Sequence, residues 1–204
     1  VGPSIMVVLV GIVTIYLVYR LGREFFGPVA GIIASLLYAV SPVIITYSRS
    51  SWNPNVFPFF TIASLYTLYC AVAKNKWWLF VLSGFLMGLN LQIHYLATFV
   101  GAIMFIYVTF VNFKPNVAWI RDLARRYLLM IVGFLIGFSP FIAFEVRHQF
   151  SNSQNIMRFI FDSPDTGFAG NIFMNVKLVF ERLFGGLILA YPEHLKEKMF
   201  DANV

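Results

Sequence analysis

Between Trp77 and Phe113 the chain runs for 37 residues without an Asp, Glu, Lys or Arg. One straight helix of that length would extend about 55 Å, nearly twice the roughly 30 Å of bilayer hydrocarbon. Four other windows are equally free of charge: Val1–Tyr19, Phe25–Ser48, Ser50–Ala73 and Tyr127–Phe144. Each suits a single crossing helix of about 20 residues. The long window carries Asn90, Gln92 and His94 near its middle. Polar side chains at membrane depth are expensive, so the window is expected to break there into two short helices. A re-entrant hairpin is the alternative, because irregular backbone survives in a membrane where it lines a wet cavity. The expected fold class is therefore all-α, a polytopic transmembrane bundle of about six spans.

Composition closes the soluble route. Apolar residues make up 59% and charged residues 12%, against about 45–50% and 25% in a globular domain. Fifteen Lys and Arg against nine Asp and Glu leave a net charge of +6. In a membrane chain that excess reads as an orientation signal, and no nucleic-acid partner is expected. The single cysteine, Cys70, excludes an internal disulfide and has no metal-ligand spacing. The sequence opens on Val1 without a signal-like segment.

Sidedness follows from the short loops. Those after spans one, three and five hold Arg20 and Arg23, Lys74 and Lys76, then Lys114, Arg121, Arg125 and Arg126; the loops after spans two and four hold only Arg49. The positive-inside rule makes the first set cytoplasmic. Arg49, His94 and the tail then face outward. This orientation leaves Val1 at the outer face, so an odd number of spans is expected upstream of it. Residues 1–146 form the expected membrane core, and 147–204 an outer-face region. In that region Ser151–Gly170 reads as a loop with an apolar patch at Ile156–Phe161. Asn171–Ala190 reads as an amphipathic surface helix with Lys177 and Glu181 four apart.

Three polar constellations gather on the outer side. The loop Tyr47–Asn55 has Arg49 as its only charge. A guanidinium there suits a phosphate, or it snorkels to lipid headgroups. Asn90, Gln92, His94 and Tyr95 form either a ligand site or a helix break held by interhelical hydrogen bonds. Glu145, Arg147 and His148 form either a site rim or an interfacial salt bridge. The run Arg121–Arg126 is read as a topology anchor. Gly84, Gly88, Gly133 and Gly137 are small-xxx-small pairs that permit close helix packing.

The stretch Tyr16-Leu-Val-Tyr-Arg-Leu-Gly-Arg-Glu-Phe-Phe-Gly27 precedes an aliphatic helix ending in Ser41-Pro42. Tyr47-Ser-Arg-Ser-Ser-Trp-Asn-Pro-Asn-Val-Phe-Pro-Phe-Phe60 follows, then Gly88-Leu-Asn-Leu-Gln-Ile-His-Tyr95 and Ser139-Pro-Phe-Ile-Ala-Phe-Glu-Val-Arg-His148. Together they resemble GT-C membrane glycosyltransferases, in particular the protein mannosyltransferase and aminoarabinose transferase group (glycosyltransferase family 39-like). The resemblance covers roughly residues 10–150. It implies an inverting transferase that moves a sugar from a polyprenyl-phosphate donor to a protein, lipid or glycan acceptor at the outer face of the cytoplasmic membrane. Its acidic catalytic residue would lie in an outer loop upstream of Val1, with Glu145 a weak candidate within the chain. Where relatives often carry an aspartate, this chain has Asn53 or Asn55, and asparagine cannot act as a carboxylate base.

The expected substrate-binding residues are Arg49, Asn53, Asn55, Gln92, His94, Tyr95, Arg147 and His148, among membrane lipids. The sequence assigns no cofactor, and a divalent cation is left open. The rival readings are a secondary transporter or channel and a non-catalytic scaffold. A transporter usually shows paired interrupted helices, whereas the interruption here is single. The charges, moreover, gather at one face.

Overall fold

The computed structural model describes residues 2–50, 52–114 and 116–162. Among them are eight α-helices: α1 (Gly2–Phe26), α2 (Pro28–Val40), α3 (Pro42–Ser48), α4 (Phe57–Lys74), α5 (Trp77–Ile93), α6 (Ala97–Phe110), α7 (Val117–Arg147) and α8 (Ser151–Asp162), with one 3₁₀ turn at Asn53–Val56. The fold is an all-α membrane bundle. Three helical segments, Ser4–Phe26, Pro54–Lys74 and Val117–Arg147, are long and apolar enough to cross a bilayer. The pair α2 and α3 makes a fourth if the two are taken as one bent span. A count of six further requires α5 and α6 each to cross.

The long uncharged window does break. α5 stops at Ile93, His94 is extended (φ −157°, ψ 134°), and α6 starts at Ala97. The two helices have 17 and 14 residues, about 25 and 21 Å, both short of full hydrocarbon thickness.

The window Phe25–Ser48 departs from the expected single helix. It bends by 56° between α2 and α3. The reason is Pro42, which supplies no N–H to the carbonyl of Tyr38 four residues earlier. That carbonyl accepts from the Ser41 N–H at 3.3 Å instead. Pro140 poses the same problem inside α7 and is absorbed differently. The carbonyl of Ile136, which it leaves without its helical donor, accepts from the Ser139 hydroxyl at 2.8 Å.

Ser151–Asp162, expected as the start of a loop, is helical instead. Its first turn is capped by the Glu145 carboxylate from outside its own sequence, a partner that local patterning does not reveal. The proposed surface helix Asn171–Ala190 lies outside the described residues.

Glycines set the packing. A Cβ on Gly84 would overlap the Met130 carbonyl oxygen, one on Gly133 that of Val81, and one on Gly137 that of Phe85; on Gly88 it would sit 2.5 Å from that of Phe134. The backbones of α5 and α7 therefore touch directly. At one end of the bundle Gly27, at φ 92°, supplies the left-handed turn from α1 into α2. Polar links cross the interior: Ser83 Oγ donates to the Ser64 carbonyl at 3.1 Å, and Asn90 Nδ2 to Thr61 Oγ1 at 3.1 Å. In an apolar medium such bonds fix helix register.

Candidate functional site

Helix direction decides which sequence-distant groups meet. Val81 faces Gly133 and Phe85 faces Gly137, so α5 and α7 run parallel. Continuing one turn at a time brings Ile93 level with Glu145. In contrast, α4 and α5 run antiparallel, because Ser83 meets Ser64 while Asn90 meets Thr61. His94 consequently reaches the start of α4, where its ring packs edge-on against Phe57 at 5.8 Å. The loop after α3, the break after α5 and the end of α7 thus share one end of the bundle. Arg20, Arg23, Lys74, Lys76, Lys114, Arg121, Arg125 and Arg126 lie toward the other end.

At the shared end, the loop between α3 and α4 is held by Asn55. Its Nδ2 donates to the Tyr47 carbonyl at 2.8 Å and to the Ser50 carbonyl and hydroxyl, both at 2.9 Å. An aspartate there would face two carbonyl oxygens with no donor of its own, and only the Ser50 hydroxyl could turn to donate to it. The side chain of Asn53 lies outside the described residues. Arg49 is exposed and makes no ion pair among the described residues. Beside this loop a groove of about 210 Å³ is lined by Gly11, Tyr38, Tyr47, Trp52 and Asn55, among others. Its walls do not include Arg49, His94, Arg147 or His148. Tyr38 is a wall residue that sequence reasoning missed; it reads as one more aromatic in an apolar span.

Gln92 spends its amide on helix packing, donating to the Gly137 carbonyl at 2.6 Å and the Gly88 carbonyl at 3.3 Å. Tyr95 is exposed and stacks at a tilt on His94 at 4.6 Å.

The two histidines are held in opposite tautomers. His94 Nδ1 accepts from the Leu96 N–H at 3.2 Å, so the neutral ring carries its hydrogen on Nε2, a donor position. His148 Nδ1 lies 2.8 Å from the Phe144 carbonyl oxygen. A carbonyl only accepts, so Nδ1 holds the proton and Nε2 of the neutral ring is an acceptor.

Glu145 is buried at 3% exposure. One carboxylate oxygen accepts from the Asn152 N–H at 3.3 Å, and the other from Ser153 N–H at 2.9 Å and Ser153 Oγ at 2.5 Å. These are charge-assisted bonds to the open N-terminus of α8. The salt bridge that sequence allowed between Glu145 and Arg147 is absent among the described residues, and Arg147 is exposed. No three of His, Cys, Asp and Glu gather to hold a metal ion among the described residues.

A family model described as dolichyl-phosphate-mannose-protein mannosyltransferase matches residues 3–144, well over half of the chain. No curated protein and no solved structure matches it.

Proposed function

The chain belongs to the dolichyl-phosphate-mannose-protein mannosyltransferase family and is a membrane glycosyltransferase, and from that premise we propose that it takes its sugar from a polyprenyl-phosphate carrier at the bundle end holding Arg49, His94 and Arg147. The observation that carries this reading is the parallel register of α5 and α7 together with the contact of His94 on Phe57. Three polar segments far apart in sequence lie at that end, while eight basic side chains lie toward the opposite end. By the positive-inside rule the end with the polar segments faces outward.

The chemistry follows from charge. As the glycosidic bond breaks, the leaving phosphate gathers negative charge. Arg49 and Arg147 supply guanidinium forks, and His94 Nε2–H supplies a donor, to stabilise it. Tyr47 and Trp52, both on the groove, offer aromatic faces to the sugar. Asn55 and Gln92 hold the surrounding backbone with their amide groups. The acceptor hydroxyl attacks the anomeric carbon from the face opposite the phosphate, so the product is inverted. Its proton passes to a base.

Glu145 is not that base in this reading, since both its oxygens are committed to α8. The full-length protein, reconstituted, is expected to transfer sugar from a polyprenyl-phosphate donor, and Glu145→Gln in it to stay within about tenfold of the parent rate. Removing a true general base costs about 10²–10⁴-fold. A loss of that size in Glu145→Gln, with the folded state intact, would assign the proton transfer to Glu145. Solute flux without sugar transfer would overturn the transferase reading itself.

A further inference from the structure

Beyond α7 the chain does not run straight on. Gln149 and Phe150 both take left-handed backbone (φ 56° and 59°), a conformation disfavoured for residues with a Cβ. The Phe150 N–H donates to the Glu145 carbonyl at 2.7 Å. The turn brings the first turn of α8 back against α7, where the buried Glu145 carboxylate seizes Ser153 and Asn152. The face of α8 that carries Ser153 therefore points toward the bundle.

Residues three and four positions on share that face. They are Ile156 and Met157, which are nonetheless 53% and 55% exposed. Asn155 and Arg158, on the other side, are exposed too. The bundle does not cover the apolar pair, although the pair points the same way as the latched Ser153. What continues outward at that level is an apolar face of α7, where Ile142 and Val146, four residues apart, are exposed. In a membrane chain that surface faces lipid.

We propose that α8 lies on the bilayer, with the Ile156–Met157 edge in the headgroup–acyl boundary, and that Glu145 is the latch that turns the chain onto it. Arg158 on the opposite side stays in water or reaches headgroup phosphates, as the polar flank of an interfacial helix does. This inference is independent of the sugar chemistry.

The test uses the full chain in phosphatidylcholine vesicles. A nitroxide is placed at Met157→Cys or Asn155→Cys in a Cys70→Ala background. Collision with oxygen, which concentrates in lipid, is compared with collision with a water-soluble nickel chelate. The expected ratio of oxygen to nickel access is severalfold higher at 157 than at 155. Equal, water-like access at both positions overturns the proposal. So does low access to both reagents at 157, which would place protein over that edge.

Glu145→Ala is expected to bring the ratio at 157 toward that at 155. Glu145→Gln, which keeps a carbonyl acceptor, is expected to fall between. An unchanged ratio in Glu145→Ala removes the latch role. If Glu145→Ala does not accumulate, Ser153→Ala deletes only the hydroxyl donor and is expected to shift the ratio in the same direction by less; no shift there overturns the latch.

Discussion

Gly133→Ala is expected to be among the most damaging single-methyl substitutions in this protein. The added Cβ would overlap the Val81 carbonyl oxygen and come within 2.9 Å of the Phe85 nitrogen. Both are helix backbone, so neither can swing aside and α5 must separate from α7. Overpacking ordinarily costs about 1–3 kcal/mol, and a clash that only helix displacement relieves belongs at the top of that range or above. The midpoint of thermal unfolding is expected to fall by on the order of 10 °C.

Two other glycines calibrate the result. At Gly101 the new Cβ meets only the flexible Met87 Cε, at 3.1 Å, and at Gly11 nothing lies within 4 Å. Gly101→Ala should cost little. Gly11→Ala should be neutral or stabilising, because alanine favours a helix by up to about 1 kcal/mol over glycine. Equal effects at all three positions would show that α5 and α7 do not pack as described.

The second large effect is on donor use. Arg49→Ala is expected to raise the donor KM by about 10- to 100-fold, corresponding to the roughly 1.5–3 kcal/mol of a hydrogen bond to a charged group. Arg49→Lys should recover only part, since an ammonium keeps the charge and loses the two-pronged geometry. Arg147→Ala should act in the same direction. Stability should barely change in any of these, because both side chains are exposed and neither forms an ion pair among the described residues. A donor KM that is unmoved in Arg49→Ala would leave its guanidinium among lipid headgroups.

Much of the fold was legible because the membrane punishes exposed backbone and charge so heavily. The 37-residue window gave away its break through Asn90, Gln92 and His94, and the small-xxx-small glycines marked the α5–α7 seam. The bend at Pro42 was written in the sequence, but a proline can be absorbed, as Pro140 is in α7. Sequence alone does not say which outcome applies.

The site was less legible. Asn55, Gln92 and Glu145 stand out in the sequence as candidate site residues, yet each of them holds backbone in place. A polar side chain needed to bind substrate and one needed to satisfy a helix end or a carbonyl look alike until their partners are known. Spacing missed α8 because its cap comes from Glu145, six residues before the helix begins.

The most direct measurement is covalent mapping of the donor phosphate. A polyprenyl phosphate bearing a photoreactive group beside its phosphate is irradiated with the reconstituted protein, and the labelled peptides are sequenced. The expected adducts fall in Tyr47–Phe57 together with His94–Tyr95 or Arg147–His148. Adducts confined to Arg121–Arg126 and its neighbours at the opposite end of the bundle would contradict a donor site built from Arg49, His94 and Arg147.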